Sequence, residues 1–501
     1  MLVFLSVLPI LCLVICLLIL KLSALKASIA AFVVTLIIFT FQFQAGFFGT
    51  VIAIAKGCSL ALFVILIVWG AMLLYNLVNE TKALNVINRN IEIAVDNKFH
   101  QFVLLSWAFT PFLQGIAGFG VPVIVVTSIL ISLGFKPIDS ACAVLIGHSW
   151  GISFGSMGSS IFAIDMVTRS SIYEILVYMA RFGVIGILGT GLGVCFIYGG
   201  MRYVLKGLPF VLFITLVMGV TLNLLAHIGM ISVIGLLTAL SGLAAGFIYS
   251  SIRRKEKVQL YKAELNLFQA MLPYIITVFL SITFFILNPM YTISFSFPSY
   301  ETLLGVVVPY EVNYVTFNIL RFPFTIIAIS ACISIIVYYK KKTFNAEVAK
   351  AIAVKTVKKC MPITAMMLLL LSMAVMMIDS GMIERIAVSL ASVTGDKYPL
   401  IAPFIGLVGA FVTGSNTNSN IIFGSLQEIA AGAIAMSPVI MSAAQSIGAS
   451  VGTALGPTNV SLAASTAGIK NNESTLYLKI ILPILMINVL IGVANFLVLT
   501  I

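Results

Sequence analysis

Apolar runs of about 20 residues recur from one end of this chain to the other, each long enough to cross a bilayer core of roughly 30 Å. No hydrophilic segment between them is long enough to fold as a soluble domain. Only 9% of the 501 residues are charged and 61% are hydrophobic, whereas an average soluble domain is about one quarter charged. This predicts an all-α polytopic membrane protein with about 12–14 transmembrane helices.

The net charge of +12 does not point to nucleic acid. Its Lys and Arg cluster in short loops between apolar runs, as the positive-inside rule expects. The seven cysteines, Cys12, Cys16, Cys58, Cys142, Cys195, Cys332 and Cys360, form no C-x-x-C pair. Neither a metal site nor a disulfide framework is indicated, and no cofactor is expected. The first run starts at Leu2 without a basic leader and is followed by Lys21 and Lys26. It reads as a retained helix with its N-terminus outside.

Spans are predicted at about 2–20, 27–45, 51–75, 173–200, 206–226, 228–250, 270–288, 313–339, 361–379 and 476–500. Two regions, 101–165 and 399–469, are apolar but interrupted. Arg253–Lys257 and Lys340–Lys342, continuing to Lys359, are the strongest basic clusters and should be cytoplasmic. The connection between them carries Glu301 and Glu311 but no Lys or Arg before Arg321, and should face outside.

The interruptions carry the functional argument. Phe112-Leu113-Gln114-Gly115-Ile116-Ala117-Gly118-Phe119-Gly120-Val121-Pro122 is poor helix material at membrane depth. Non-helical backbone is tolerated there only when buried in protein or lining a cavity. The stretch has a counterpart. Ile146–Gly155 and Ile447–Gly456 share I-G-x-S-x-G-x-x-x-G at an offset of 301, as do Pro137 and Pro438, and Phe112-x-x-Gly115 matches Phe411-x-x-Gly414 at 299. This predicts two repeats, 1–260 with a broken core at 101–165 and 261–501 with a broken core at 399–469, within one membrane domain. The loop signs run the copies in opposite directions. The 76–98 loop falls inside, while its counterpart at about 380–397 falls outside. Inverted repeats with interrupted helices are the mark of secondary transporters that bind cargo near the midplane.

Thr413–Asn420 places eight small or amide residues in a row amid apolar sequence. A buried amide without a partner costs about 1–3 kcal/mol, so such a run implies mutual pairing, water or a polar ligand. Half-helix N-termini offer unpaired N–H groups and a positive dipole end. The candidate substrate-binding residues are Gln114, Gly118, Gly120, Ser149, Thr413, Ser415, Asn416, Asn418, Asn420, Gln445 and Thr453. Together they suit a small carboxylate without needing Lys or Arg. Gly147, Gly151 and Gly155 fit close helix packing equally well. Within the broken cores His148 and Glu428 are the candidates for proton coupling. Lys136 and Asp139 belong to a solvated turn.

At Phe112–Pro122 (FLQGIAGFGVP), Leu133–Pro137 (LGFKP), Phe154–Gly158 (FGSMG) and Phe411–Gln427 (FVTGSNTNSNIIFGSLQ) the sequence resembles the L-lactate permease family of prokaryotic carboxylate transporters. The resemblance implies a plasma-membrane symporter moving lactate, and often glycolate, with protons. Its expected partners are a small carboxylate, protons and membrane lipids. Family members commonly carry an acid where this chain has Gln114, Asp where it has Asn416, and Lys where it has Thr453. Pro457 is retained, while Thr458 stands where Gln is usual. Three charges have thus become neutral, which also admits a different small organic anion or a neutral polar solute. An enzyme is not expected, because the cores lack an Asp pair and an H-E-x-x-H motif, and adjacent His148 and Ser149 do not face each other on a helix.

Overall fold

The computed structural model describes residues 2–20, 22–95, 97–116, 118, 120–251, 263–302, 305–469 and 473–500. Lys21 and Arg253–Lys257, used above for orientation, lie outside the described residues, as do Ala117 and Phe119. Among the described residues ten helices are long and apolar enough to cross a membrane, and two shorter apolar helices, Leu2–Leu17 and Val121–Ser132, accompany them. The chain is an all-α polytopic membrane protein.

Its elements recur in the same order about 300 residues later. Gly46–Glu80 is matched by Ala346–Asp379, Ala83–Ala94 by Met382–Thr394, and Ile172–Gly199 by Glu473–Thr500, the last two 28 residues each. The packing is reciprocal. Leu2–Val14 lies on Met382–Thr394, Leu267–Leu287 lies on Ala83–Ala94, and the two longest helices, 46–80 and 346–379, pack on one another. Met201–Ile228 and Ile231–Ser251 stand between the two series and have no equivalent pair among the described residues.

Three boundaries differ from expectation. The span expected at 313–339 is a strand, Glu311–Asn318, followed by a helix that starts only at Pro323. The strand pairs antiparallel with Thr292–Phe297. Val312, Val315, Thr316 and Phe317 are β-branched or aromatic, and Pro323 is pre-set for the first turn of a helix. The 361–379 span is the second half of a longer helix. It begins at Ala346, where the Asn345 side chain accepts a hydrogen bond from Val348 N at 2.9 Å. The loops at 76–98 and 380–397 are largely helical, through Ala83–Ala94 and Met382–Thr394.

The glycines of the first broken region serve close packing. A Cβ at Gly147 would collide with the Ser106 carbonyl, and one at Gly151 would lie 2.8 Å from Pro111 Cβ. Asp139 pairs with Lys479 at 2.6 Å at the partly exposed turn, as a solvated helix end should.

Candidate functional site

Four helices are interrupted, and all four interruptions meet. Thr110–Ile116 turns back as Val121–Ser132 and Tyr398–Thr413 as Asn416–Ala433, so that Lys98 Nζ donates to the Leu133 carbonyl and Ser419 Oγ to the Gly406 carbonyl, whereas Pro137–Gly147 is continued by Ser159–Asp165 and Pro438–Gly452 by Pro457–Thr466. The gap enclosed is a cavity of about 60 Å³, space for about four to six waters at about 10–15 Å³ each. Its wall includes Gly120, Ser159, Ser415, Asn416, Thr417 and Asn459, which stand at the starts of the resumed helices. It also includes Gln114, His148, Gly414 and Thr453, which stand at the ends of the helices that stop. Helix starts carry partial positive charge and unpaired N–H groups, and helix ends carry partial negative charge. The cavity therefore presents both poles while containing no Lys, Arg, Asp or Glu among its lining residues.

Local sequence sets each break. Gly120 holds φ +77° and Gly414 φ +69°, left-handed conformations that L side chains resist. A Cβ at Gly120 would also meet Leu462 Cδ1, and one at Gly118 would meet Ser156 Oγ. Ser415 then caps the 416–433 helix by accepting from Asn418 N at 3.4 Å. The N–H groups of Asn416 and Thr417, in the first turn of that helix, make no intrahelical bond.

Hydrogen bonds tie the two broken regions together. Asn416 Nδ2 donates to Ser153 Oγ at 2.8 Å, and Ser153 Oγ donates to the Ser446 carbonyl at 3.0 Å. Ser153 N donates to Ser450 Oγ at 2.9 Å, and Ser450 Oγ donates to the Ser149 carbonyl at 2.6 Å. Ser160 and Thr417 hydroxyls lie 2.8 Å apart, and Asn420 Nδ2 donates to the Ser160 carbonyl at 2.8 Å. Yet Asn416 Oδ1 is buried without a hydrogen-bond partner, as are the side-chain carbonyls of Asn418, Asn420 and Gln445. An orphaned acceptor on a residue in the wall of a polar cavity, as Asn416 Oδ1 is, calls for a donor such as a hydroxyl.

Of the residues singled out by sequence, Gln114, Gly120, His148, Ser415, Asn416 and Thr453 line the cavity. The others do not. Gly118 supports the bend, Ser149 donates to the Ile146 carbonyl, and Thr413 donates to the Gly409 carbonyl at 2.8 Å. Asn418 Nδ2 points to Met366 Sδ, Gln445 Nε2 to Ser419 Oγ, and Asn420 bridges Ser160 and Ser446. His148 Nδ1 lies 2.8 Å from the Val144 carbonyl, which makes that nitrogen the donor and leaves the Nε2 lone pair. Glu428 is held outside the cavity, accepting from Arg169 N at 2.8 and 2.9 Å and from Ser170 Oγ at 2.7 Å.

Sequence reasoning missed Ser156, Ser159 and Ser160, which line the cavity from the Gly-Ser-Met-Gly-Ser-Ser stretch. It also missed a buried charge cluster. Lys56 Nζ is 2.8 Å from Asp379 Oδ2 and 2.8 Å from Glu311 Oε2, and Tyr300 OH donates to Asp379 Oδ2 at 2.7 Å. A lysine ten residues into an apolar helix is itself the signal that would have found it.

The sequence relationships agree with this architecture. The family model described as L-lactate permease matches residues 3–501. An L-lactate permease of Streptococcus iniae is 27% identical over 463 residues, covering 88% of this chain and 93% of that protein. An L-lactate permease of Escherichia coli K12 is 25% identical, covering 85% and 83%. The glycolate permease GlcA of the same strain is 24% identical, covering 94% and 91%. A match that runs from the first helix to the last, through all four interruptions, makes this chain a member of the L-lactate permease family, a membrane transporter and not an enzyme.

Proposed function

We propose that this chain carries short 2-hydroxy monocarboxylates, L-lactate or glycolate, across the plasma membrane together with protons, and that the cavity at the four interruptions is the substrate site. The observation that carries the reading is the convergence of helix starts on a small polar cavity without a fixed charge. The carboxylate is placed against the N–H groups of Asn416 and Thr417, at the start of an 18-residue helix. The hydroxyl is placed on the unpartnered Asn416 Oδ1. The names of the relatives fit such a cargo.

Proton coupling follows from electrostatics. Moving an isolated carboxylate from water into a low-dielectric site is prohibitive, and proteins avoid it by neutralising the group. A cavity with no cation achieves this when a proton enters with the anion. His148, at the end of Pro137–Gly147, has its Nε2 lone pair available to take a proton in passage. The alternation of access is assigned to two inverted halves, 1–260 and 261–501, an arrangement the recurrence of elements and their reciprocal packing support.

The test is uptake of labelled L-lactate into proteoliposomes under an inward proton gradient. Saturable uptake, abolished by a protonophore and inhibited by glycolate, is expected. Uptake no greater than into protein-free vesicles at every gradient polarity would refute the lactate reading. Uptake indifferent to the protonophore would refute the coupling.

A further inference from the structure

A second, larger cavity of about 310 Å³ lies beyond the Ser159–Asp165 helix. Ser159 and Ser160 line the inner cavity, whereas Phe162 and Asp165 line this one. Five residues of helix separate Ser160 from Asp165, about 7.5 Å. The outer cavity is bounded by the 288–322 connection, the one assigned above to the outside, through Thr316, Asn318 and Arg321. Aromatic rings make up part of the wall of this outer cavity. The Phe63 ring centroid is 5.2 Å from Phe162, 5.2 Å from Phe317 and 4.8 Å from Phe322.

The polar groups of this cavity are incompletely partnered. Arg321 Nη1 donates to a neutral amide, Asn288 Oδ1, at 2.6 Å, and its guanidinium lies 5.4 Å from the Phe285 ring centroid. No described carboxylate comes within ion-pairing distance of it. Ser281, 8% exposed, lines the same cavity, and its buried Oγ has no hydrogen-bond partner. A guanidinium with donors to spare and a residue with an orphaned hydroxyl in the wall of one cavity offer a carboxylate a receptor.

We infer that this cavity is an outer capture site for the small carboxylate, with Arg321 as its anion-binding group and Ser281 as its second contact. This rests on the transport reading above for the identity of the cargo. Asp165 is the opposing charge in the cavity and works against an anion, so the two residues move affinity in opposite directions.

Two measurements test this. In initial-rate L-lactate uptake, Arg321→Gln should raise KM about tenfold, as expected for loss of a charge-assisted hydrogen bond, with maximal rate changed less than about twofold. Arg321→Lys should fall between, and Asp165→Asn should lower KM. Separately, Ser281→Cys in whole cells should react from outside with a membrane-impermeant anionic methanethiosulfonate faster than with its cationic analogue, beyond the reaction of the parent chain. Adding Arg321→Gln should lower that anion-to-cation rate ratio about tenfold. KM and rate ratio both unchanged within about twofold by Arg321→Gln would overturn the capture site. So would Ser281→Cys labelling only after permeabilisation. If the parent chain takes up no lactate, the cargo assignment fails, while the reagent ratio still decides whether this cavity captures anions.

Discussion

The buried cluster around Lys56 gives the sharpest stability prediction. Lys56 is 1% exposed, Asp379 8% and Glu311 28%. Its ammonium bridges the two carboxylates and lies 4.9 Å from the Tyr314 ring centroid. Three segments meet there, namely the helices Gly46–Glu80 and Ala346–Asp379 and the strand Glu311–Asn318. Lys56→Met removes the cation and leaves two carboxylates facing each other. Breaking a buried pair by removing one partner costs about 3–5 kcal/mol. Glu311 is partly solvated and is screened, so the lower end, about 3 kcal/mol, applies. Lys56→Met with Asp379→Leu removes the facing carboxylates; it leaves Tyr300 without its acceptor, about 1–3 kcal/mol, and leaves the partly solvated Glu311 without its cation, the smaller loss because it is screened. Thermal unfolding of the purified protein in detergent should therefore order the midpoints as Lys56→Met lowest, the double variant above it, and the parent highest. Proteolysis within 292–318 should run in the opposite order, fastest in Lys56→Met and slowest in the parent, because the cluster fastens the strand pair to the helices. A double variant less stable than Lys56→Met, or a single variant matching the parent, would refute the claim that the cation holds these segments together.

Three further outcomes test the inner site. Asn416→Ala and Gly120→Leu should each lose lactate uptake by at least about tenfold with the protein still present in the membrane, since one removes the unpartnered acceptor and the other fills the break. Normal kinetics in both, with immunoblotted protein at parental level, would place the pathway elsewhere. His148→Gln should lose proton-driven uptake but keep lactate–lactate exchange, measured as counterflow. Loss of both would assign His148 to binding or packing instead. Gly147→Leu should fail differently, with low protein in the membrane, because its side chain would enter the Ser106–Trp107 backbone.

The sequence carried much of this and hid part of it for identifiable reasons. Helix interruptions were legible because Gly118, Gly120, Gly414 and Pro457 violate helix chemistry where hydrocarbon demands it. The Thr413–Asn420 run announced a polar site, but not which members face it. Asn416, Thr417, Asn418, Ser419 and Asn420 occupy successive positions of one helix, so they point in different directions, and only Asn416 and Thr417 of these five reach the cavity. The serines at 156, 159 and 160 carried no signal of their own, because Ser is also the common packing residue of membrane helices. The strand pair at 292–318 was concealed by its apolar composition, which reads as helix once the surroundings are a membrane. Lys56 was concealed for the opposite reason. It interrupts a run whose length and hydropathy already satisfied the spanning criterion, and its partners lie about 255 and 323 residues away in sequence.

The neutral residues at positions 114, 416 and 453 should be coupled, because all three line one cavity of about 60 Å³. Two unit charges about 6 Å apart at an effective dielectric constant of about 20 interact by about 3 kcal/mol. Asn416→Asp alone sets a carboxylate at the helix start where the substrate carboxylate is placed. It should raise the KM for lactate by about a hundredfold, the equivalent of that repulsion. Thr453→Lys alone sets an uncompensated cation in the same cavity, which should bind lactate more tightly but release it slowly, lowering the maximal rate. Combined, the two variants form an ion pair, and each should offset the other. Uptake by the double variant should therefore exceed that expected from adding the single losses by at least about tenfold. Strict additivity would show that positions 416 and 453 do not share a solvent-poor cavity. It would remove the basis for reading the three neutral residues as one altered network.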